Sequence, residues 1–204
     1  MARRTKEEAA ATRDSILDAA EQLFVEQGVS RTTLQHIATA AGVTRGAIYW
    51  HFDDKAALFN AMMERVILPL EAARELMDRC DATNPLGALR EYMLGGLRVT
   101  VEDPRARRVF EIATLKVEFV EEMGPVRERR LKSLDGWMTR AEAMIRAAIE
   151  RGEVKPEVSP RAAAIGMWVL TDGLIRNWLF DPGVFDLLEV GAQVIDAHLD
   201  GLRV

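Results

Sequence analysis

TTLQHIATAAGVTRGAIYWHFDDK, residues 32–55, decides how this 204-residue chain is to be read. Leu34, Ile37, Ala38 and Ala41 recur at helical spacing and make one apolar face, and Thr33 stands where a hydroxyl can cap the first turn. Gly42 supplies the stop, because the left-handed conformation that ends many helices costs glycine nothing. Val43 then packs into the angle between two helices and Thr44 caps the second. That second helix is two turns long, Arg45 to Phe52, with Ile48 and Phe52 four apart on an inward face and Trp50 read as mostly core. Arg45, Gly46, Ala47, Tyr49 and His51 are left outside, where a short helix can enter a DNA major groove. The plain alternative is a helical hairpin with an aromatic core. Tyr49 and His51 argue against it, since a hydroxyl and an imidazole have little to satisfy them inside and suit phosphate oxygens outside.

Composition narrows the classes without advertising the function. Hydrophobic residues make up 49% of the chain and charged residues 29%, which fits a globular protein and excludes a disordered polar one. The net charge of -5 is not that of a general nucleic-acid binder, and residues 1–55 hold seven Lys/Arg against eight Asp/Glu. The distribution is local: Arg3, Arg4, Lys6 and Arg13 lie near the start and Arg31, Arg45 and Lys55 at the helix ends of the motif, while Asp18, Glu21 and Glu26 on the first helix can face away. A basic face on an acidic protein is compatible with specific DNA binding and weakens binding to any duplex. The lone Cys80, between Arg79 and Asp81, excludes an intramolecular disulfide and reads as incidental rather than as a redox sensor. A charged N-terminus without a signal-peptide pattern makes a reducing cytoplasm the expected location. His36, His51 and His198 show no ligand spacing, so no metal and no cofactor is expected.

Working outward, every segment reads helical. Ile16, Ala19, Ala20, Leu23 and Phe24 form a stripe on a first helix that Gly28 ends, completing a three-helix head. A fourth helix follows, capped by Asp53 or Asp54, with Leu58, Met62 and Val66 along one side; Pro69 should bend it before Leu70, Ala73 and Met77. Proline and glycine then punctuate helices at 86–101, 105–118, 126–151, 160–180 and 184–202. The run Arg127-Glu128-Arg129-Arg130 with Lys132 reads as a solvated face rather than a second nucleic-acid patch. The 160–180 segment is apolar almost all round yet too interrupted by charge to span a bilayer, which implies burial on more than one side. The last helix, with Val184, Leu187, Leu188, Gly191, Val194, Ile195, His198, Leu199 and Leu202, has a similarly broad face with small residues that permit close approach. Together the two suggest half of a four-helix dimer interface; the alternative is that they only close the domain core.

The head resembles that of the TetR family of bacterial repressors. Thr33, Ile37, Ala38, Gly42, Val43, Tyr49, His51, Phe52 and Lys55 stand where the family pattern has them, and Gly46-Ala47-Ile48-Tyr49-Trp50-His51-Phe52 is a close match. The opening Arg3-Arg4-Thr5-Lys6-Glu7-Glu8-Ala9 and the later Asp172-Gly173-Leu174-Ile175 with Trp178 are similar to the AcrR/TtgR-type branch that represses multidrug efflux pump operons. The resemblance implies an all-α fold of about nine helices, with a helix-turn-helix domain at 1–55 and a ligand-binding and dimerisation domain at 56–204. It implies that Arg45, Gly46, Ala47 and Tyr49 meet base edges or the groove wall and that Thr33, Tyr49, His51 and Lys55 contact phosphates. Arg3, Arg4 and Lys6 would form an arm along the minor groove. It also implies an effector cavity bounded by Val66, Tyr92, Met93, Phe110, Thr114, Trp137, Trp168, Thr171, Asp172, Ile175 and Arg176. Trp168, Asp172 and Ile175 share a helix face by spacing alone, so one carboxylate can look into an aromatic and aliphatic wall; it can equally pair with Arg176 one turn on. Phe110 and Thr114 depart from the branch, which with Trp137 and Trp168 favours flat aromatic effectors.

The expected partners are therefore double-stranded operator DNA, a small hydrophobic or aromatic effector and a second copy of the chain, with no membrane. A metabolic or lipid-pathway regulator of the same family is the alternative. A carrier or an enzyme is remote, because the sequence holds no nucleophile-base pair, paired carboxylates, phosphate loop or metal cluster.

Overall fold

The computed structural model describes residues 6–66 and 84–204. The arm at Arg3 and Arg4, the Pro69 bend with Leu70, Ala73 and Met77, and Cys80 lie outside the described residues. The described residues form nine α-helices and no strand, apart from an isolated bridge between Val154 and Arg203.

Helix α1 (Lys6–Gln27) buries Ile16, Leu17, Ala20 and Phe24 along one stripe and ends at Gly28, whose φ of 83° is the left-handed conformation expected of it. Helices α2 (Leu34–Ala40) and α3 (Arg45–His51) follow, then α4 (55–66), whose start is capped by the Asp54 carboxylate accepting the Ala57 N–H at 2.7 Å. Packing does not break at residue 55: α4 buries Ala56, Leu58, Phe59, Met62 and Val66, and the Phe59 ring lies 6.2 Å from that of Phe24. The first of two compact units accordingly runs to Val66 and also takes in Arg108–Arg129.

That second stretch departs from the helix expected at 105–118. Helix α6 (Pro104–Glu111) gives way to a π-helical turn (Ile112–Lys116), followed by extended backbone at Val117 and a 3-10 turn (Glu121–Met123). A competing donor sits where the helix ends: the Lys116 carbonyl accepts the Val29 N–H at 3.0 Å instead of an N–H from a further helical turn.

The other unit is built on α5 (Pro85–Glu102), most of α7 (Gly124–Glu150), α8 (Pro160–Phe180) and α9 (Leu187–Leu202). Leu89, Met93 and Leu97 of α5 are buried, as are Leu187, Gly191, Ile195 and Leu199 of α9, and both helices pack on α8. Gly191 is needed there, because a Cβ would overlap the Leu97 side chain, and Gly166 of α8 likewise receives the His198 ring. Gly191 of α9 thus serves close packing within this unit. Arg90 of α5 grips Asp196 of α9 through two bonds, Nε to Oδ1 at 2.5 Å and Nη2 to Oδ2 at 2.9 Å. The hydrogen bonds from Arg90 hold the Asp196 carboxyl below its ordinary value against a smaller opposing effect of burial. Helix α9 starts at Leu187 rather than 184 because the Asp186 carboxylate caps it, accepting the Leu188 and Glu189 N–H groups. No helix among the described residues is long and apolar enough to cross a membrane.

Candidate nucleic-acid interface and effector residues

The two short helices of the head are fixed by their ends. Thr33 Oγ1 accepts the His36 N–H at 3.2 Å while the Thr33 N–H reaches back to His36 Nδ1 at 3.5 Å, a reciprocal capping box in which an imidazole replaces the usual Glu or Gln. Gly42 sits at φ 66° and the Val43 N–H closes onto the Ala38 carbonyl at 3.0 Å. Thr44 Oγ1 accepts the Ala47 N–H at 3.2 Å, opening α3. Seven-residue helices are marginal by themselves, so these caps and the buried Ile37, Ala38 and Ile48 supply what length does not.

Helix α3 turns Ile48 and Phe52 inward and exposes Arg45, Gly46, Tyr49 and Trp50, with Ala47 and His51 at the margins. Trp50 corrects the sequence reading. Its indole is 73% exposed, because at about 100° per residue position 50 stands opposite the midpoint of Ile48 and Phe52. His51 braces it edge-on, with ring centroids 4.5 Å apart. On the same arc Arg45 Nη2 donates to Tyr49 Oη at 3.0 Å and the guanidinium lies over the Tyr49 ring, 5.5 Å from its centroid. The arc therefore presents a braced cation, a phenol, an indole and, at Gly46, bare backbone. Thr33 is exposed at the start of α2, its hydroxyl already engaged in the cap.

Lys55 is also corrected. Its ammonium is no free point charge for a phosphate: the residue is 6% exposed, and Nζ donates to the carbonyls of Val29 at 3.2 Å and Thr32 at 3.3 Å and pairs with Glu122 Oε2 at 3.0 Å. The acids of α1 are likewise engaged rather than merely turned away. Arg65 of α4 bonds Asp14 at 3.0 Å, Asp18 at 2.6 Å and the buried Glu21 at 3.1 Å, and Arg108 stands 3.8 Å from the other Glu21 oxygen. Burial opposes the Arg65 charge, but the bonds to Asp18 and Asp14 and the charge of Glu21 outweigh it and raise its pKa.

Of the expected effector residues, Val66 is buried at the end of α4, Phe110 half-buried on α6 and Thr114 half-buried in the π turn, all in the first unit. The second unit brings Tyr92 and Trp137 together with ring centroids 6.2 Å apart, and buries Met93, which follows Tyr92 in sequence. Trp168, Thr171, Asp172 and Ile175 are half-buried along α8, with the Thr171 hydroxyl donating to the Met167 carbonyl. The Asp172 carboxylate meets Arg130 of α7 at 3.4 Å and not Arg176, which is exposed. Two members of the basic run at 127–132 are thus tied down, since Arg129 also bonds Glu64 and the Asn60 carbonyl, both at 2.9 Å. One contact had no sequence signal: the Arg107 guanidinium lies 4.6 Å from the Trp178 ring centroid.

Comparison with known proteins agrees with this arrangement. Residues 16–62 match the family described as bacterial regulatory proteins, tetR family, and residues 84–204 match the MAATS-type transcriptional repressor C-terminal region. The HTH-type transcriptional regulator TtgR of Pseudomonas putida is 40% identical over 204 residues, covering 100% of this chain and 97% of that protein. The structure of NalD, the secondary repressor of the MexAB-OprM multidrug efflux pump in Pseudomonas aeruginosa, superposes with a TM-score of 0.89 at 37% identity, over 96% of this chain and 98% of NalD. A SmeT-triclosan complex, SmeT being the repressor of a Stenotrophomonas maltophilia efflux pump, gives 0.81 at 32% identity over 95% and 92%. With both halves matched and the helix-turn-helix in place, the chain belongs to the TetR family of bacterial regulatory proteins, as a transcriptional repressor rather than an enzyme.

Proposed function

We propose that the protein is a cytoplasmic, ligand-responsive repressor of a multidrug efflux pump operon, released from a palindromic operator by bulky aromatic or apolar small molecules. The observation that carries this is the exposure of Arg45, Gly46, Tyr49 and Trp50 on α3, whose Ile48 and the following Phe52 are buried. Arg45 offers a planar fork suited to a guanine edge, Gly46 lets the backbone approach, and Tyr49, Trp50 and His51 supply donors for phosphate oxygens, with Ala47 at the groove wall and Thr33 at the N-terminus of α2 beside them. Lys55 serves this surface by holding the turn before α2 in place.

Two copies are needed to span successive major grooves, about 34–36 Å apart. The outer face of α8 and the connection after it suit that pairing: Ile165, Val169 and Phe180 of α8 and Val184 beyond its end are 40%, 52%, 81% and 68% exposed, apolar side chains that a second copy would cover. The half-buried Trp168, Thr171, Asp172 and Ile175 and the Tyr92–Trp137 pair suit an aromatic effector, and SmeT, a relative, forms a complex with the aromatic compound triclosan. Met93 and Arg176 of the same unit complete this proposed effector set.

Release requires that effector binds the non-operator state more tightly than the operator-bound one. A shift assay with the purified protein on the DNA upstream of its own gene, with and without aromatic antimicrobials, tests the proposal. Specific retardation that these compounds reverse is expected; no retardation, or retardation that none of them relieves, contradicts it.

A further inference from the structure

Lys55 Nζ has three N–H donors and three acceptors in reach: the Val29 and Thr32 carbonyls and the Glu122 carboxylate. The Lys55 side chain is 7% exposed and that of Glu122 is 54% exposed. The two carbonyls belong to the turn between α1 and α2, and Thr32 immediately precedes the Thr33 cap, so the ammonium fixes the point from which α2, and through Gly42 and Thr44 also α3, is aimed. A second link holds the same turn to the same stretch of chain, since the Val29 N–H donates to the Lys116 carbonyl six residues before Glu122. Gly28 opens the turn with the left-handed backbone, φ 83°, that a side chain would strain.

We propose that Glu122 is a positioning residue for operator binding, an acid outside the helix-turn-helix that supports DNA binding by neutralising the buried Lys55 ammonium. The proposal rests on the reading of α3 as the DNA-contacting helix. Its force lies in the sign. By charge alone, removing an acid from a DNA-binding unit raises affinity for a polyanion. Here removal leaves the ammonium with two neutral carbonyls in a site almost closed to water. Lys55 must then stay as an uncompensated buried charge or swing out and release the Val29 and Thr32 carbonyls. Either response loosens the start of α2, so affinity falls.

The test is operator binding by the full-length protein, read by fluorescence anisotropy over a salt series, for wild type, Glu122→Gln, Lys55→Met and the double variant, each with its thermal denaturation midpoint. Glu122→Gln should lower operator affinity about tenfold, the scale of one charge-assisted hydrogen bond. The same change in the Lys55→Met background should cause no further loss. Lys55→Met should leave the salt slope at its wild-type value, whereas loss of a phosphate contact reduces it by about one. Glu122 is half-exposed, so its glutamine variant folds even where Lys55→Met does not, and the sign of its effect decides alone. An affinity equal to or above wild type for Glu122→Gln, or a slope reduced by about one in Lys55→Met, overturns the proposal while leaving the DNA-binding reading intact. Wild-type protein without specific binding overturns both.

Discussion

Residues 28–55 and helix α8 carry the two ends of the proposed switch, and they are held in opposite ways. The head uses two seven-residue helices, each with a side-chain cap, a left-handed glycine between them and a buried lysine tying the turn. Helix α8 is 21 residues long, opens on Pro160 behind the Ser159 cap, and is apolar on most of its circumference. In the head, orientation comes from local bonds whose loss moves the reading surface. In α8 it comes from packing against α5 and α9, so single polar groups are free to tune what binds without deciding whether the helix stands.

The largest effect that sharpens this contrast is Tyr49→Ala. It removes an exposed phenol and the brace on Arg45, and should lower operator affinity about 100-fold while effector binding, followed by tryptophan fluorescence, is unchanged. Loss of effector binding as well would mean that the two ends are not separable. Next come the caps. Thr33→Ala and Ser159→Ala each remove one N-cap and should each cost about 1 kcal/mol of stability in chemical denaturation. Only Thr33→Ala should weaken operator binding; equal losses from both would erase the difference between locally and globally held helices.

How legible each end was follows the same division. Thr33, Gly42, Thr44 and Gly28 act on residues within one turn of themselves, and their roles as helix caps and stops stand as read. His36 in the capping box was readable in principle, since it occupies the third position after Thr33 and its Nδ1 can do what a Glu oxygen does. The large apolar area of Trp50 points to the core, but its angular position, opposite the inward direction that Ile48 and Phe52 define, puts it outside. Lys55 and Asp172 were not legible from local spacing. Their partners, Glu122 and Arg130, are remote in sequence, and the one-turn rule pointed to Arg176 instead. The π turn was hidden for the same reason, because it exists where the Lys116 carbonyl meets Val29.

Asp172→Ala probes the α8 end with a smaller effect. It frees Arg130 and removes a half-buried carboxylate, and should shift the effector concentration for half-release several-fold with operator affinity in the absence of effector unchanged. An unchanged response to every effector would restrict Asp172 to its ion pair. Smallest is the pH dependence of the α5–α9 clamp. Because Arg90 holds Asp196 below the ordinary carboxylate value of 3.8, its stabilising contribution is fully present above that pH and is lost as pH falls through the lower folded value. Both side chains are about a third or more exposed, so the contribution is under about 1 kcal/mol, seen as a small difference between wild type and Asp196→Asn that vanishes in strong acid.

The central claim is that the two ends are coupled in one molecule, and coupling in binding free energy is reciprocal. The direct measurement is the dissociation constant of one aromatic effector for the free protein and for the protein saturated with operator, beside the operator dissociation constant with and without that effector. The switch predicts that operator weakens effector binding by the same factor by which effector weakens operator binding. Equal effector affinity for the free and operator-bound forms would contradict it.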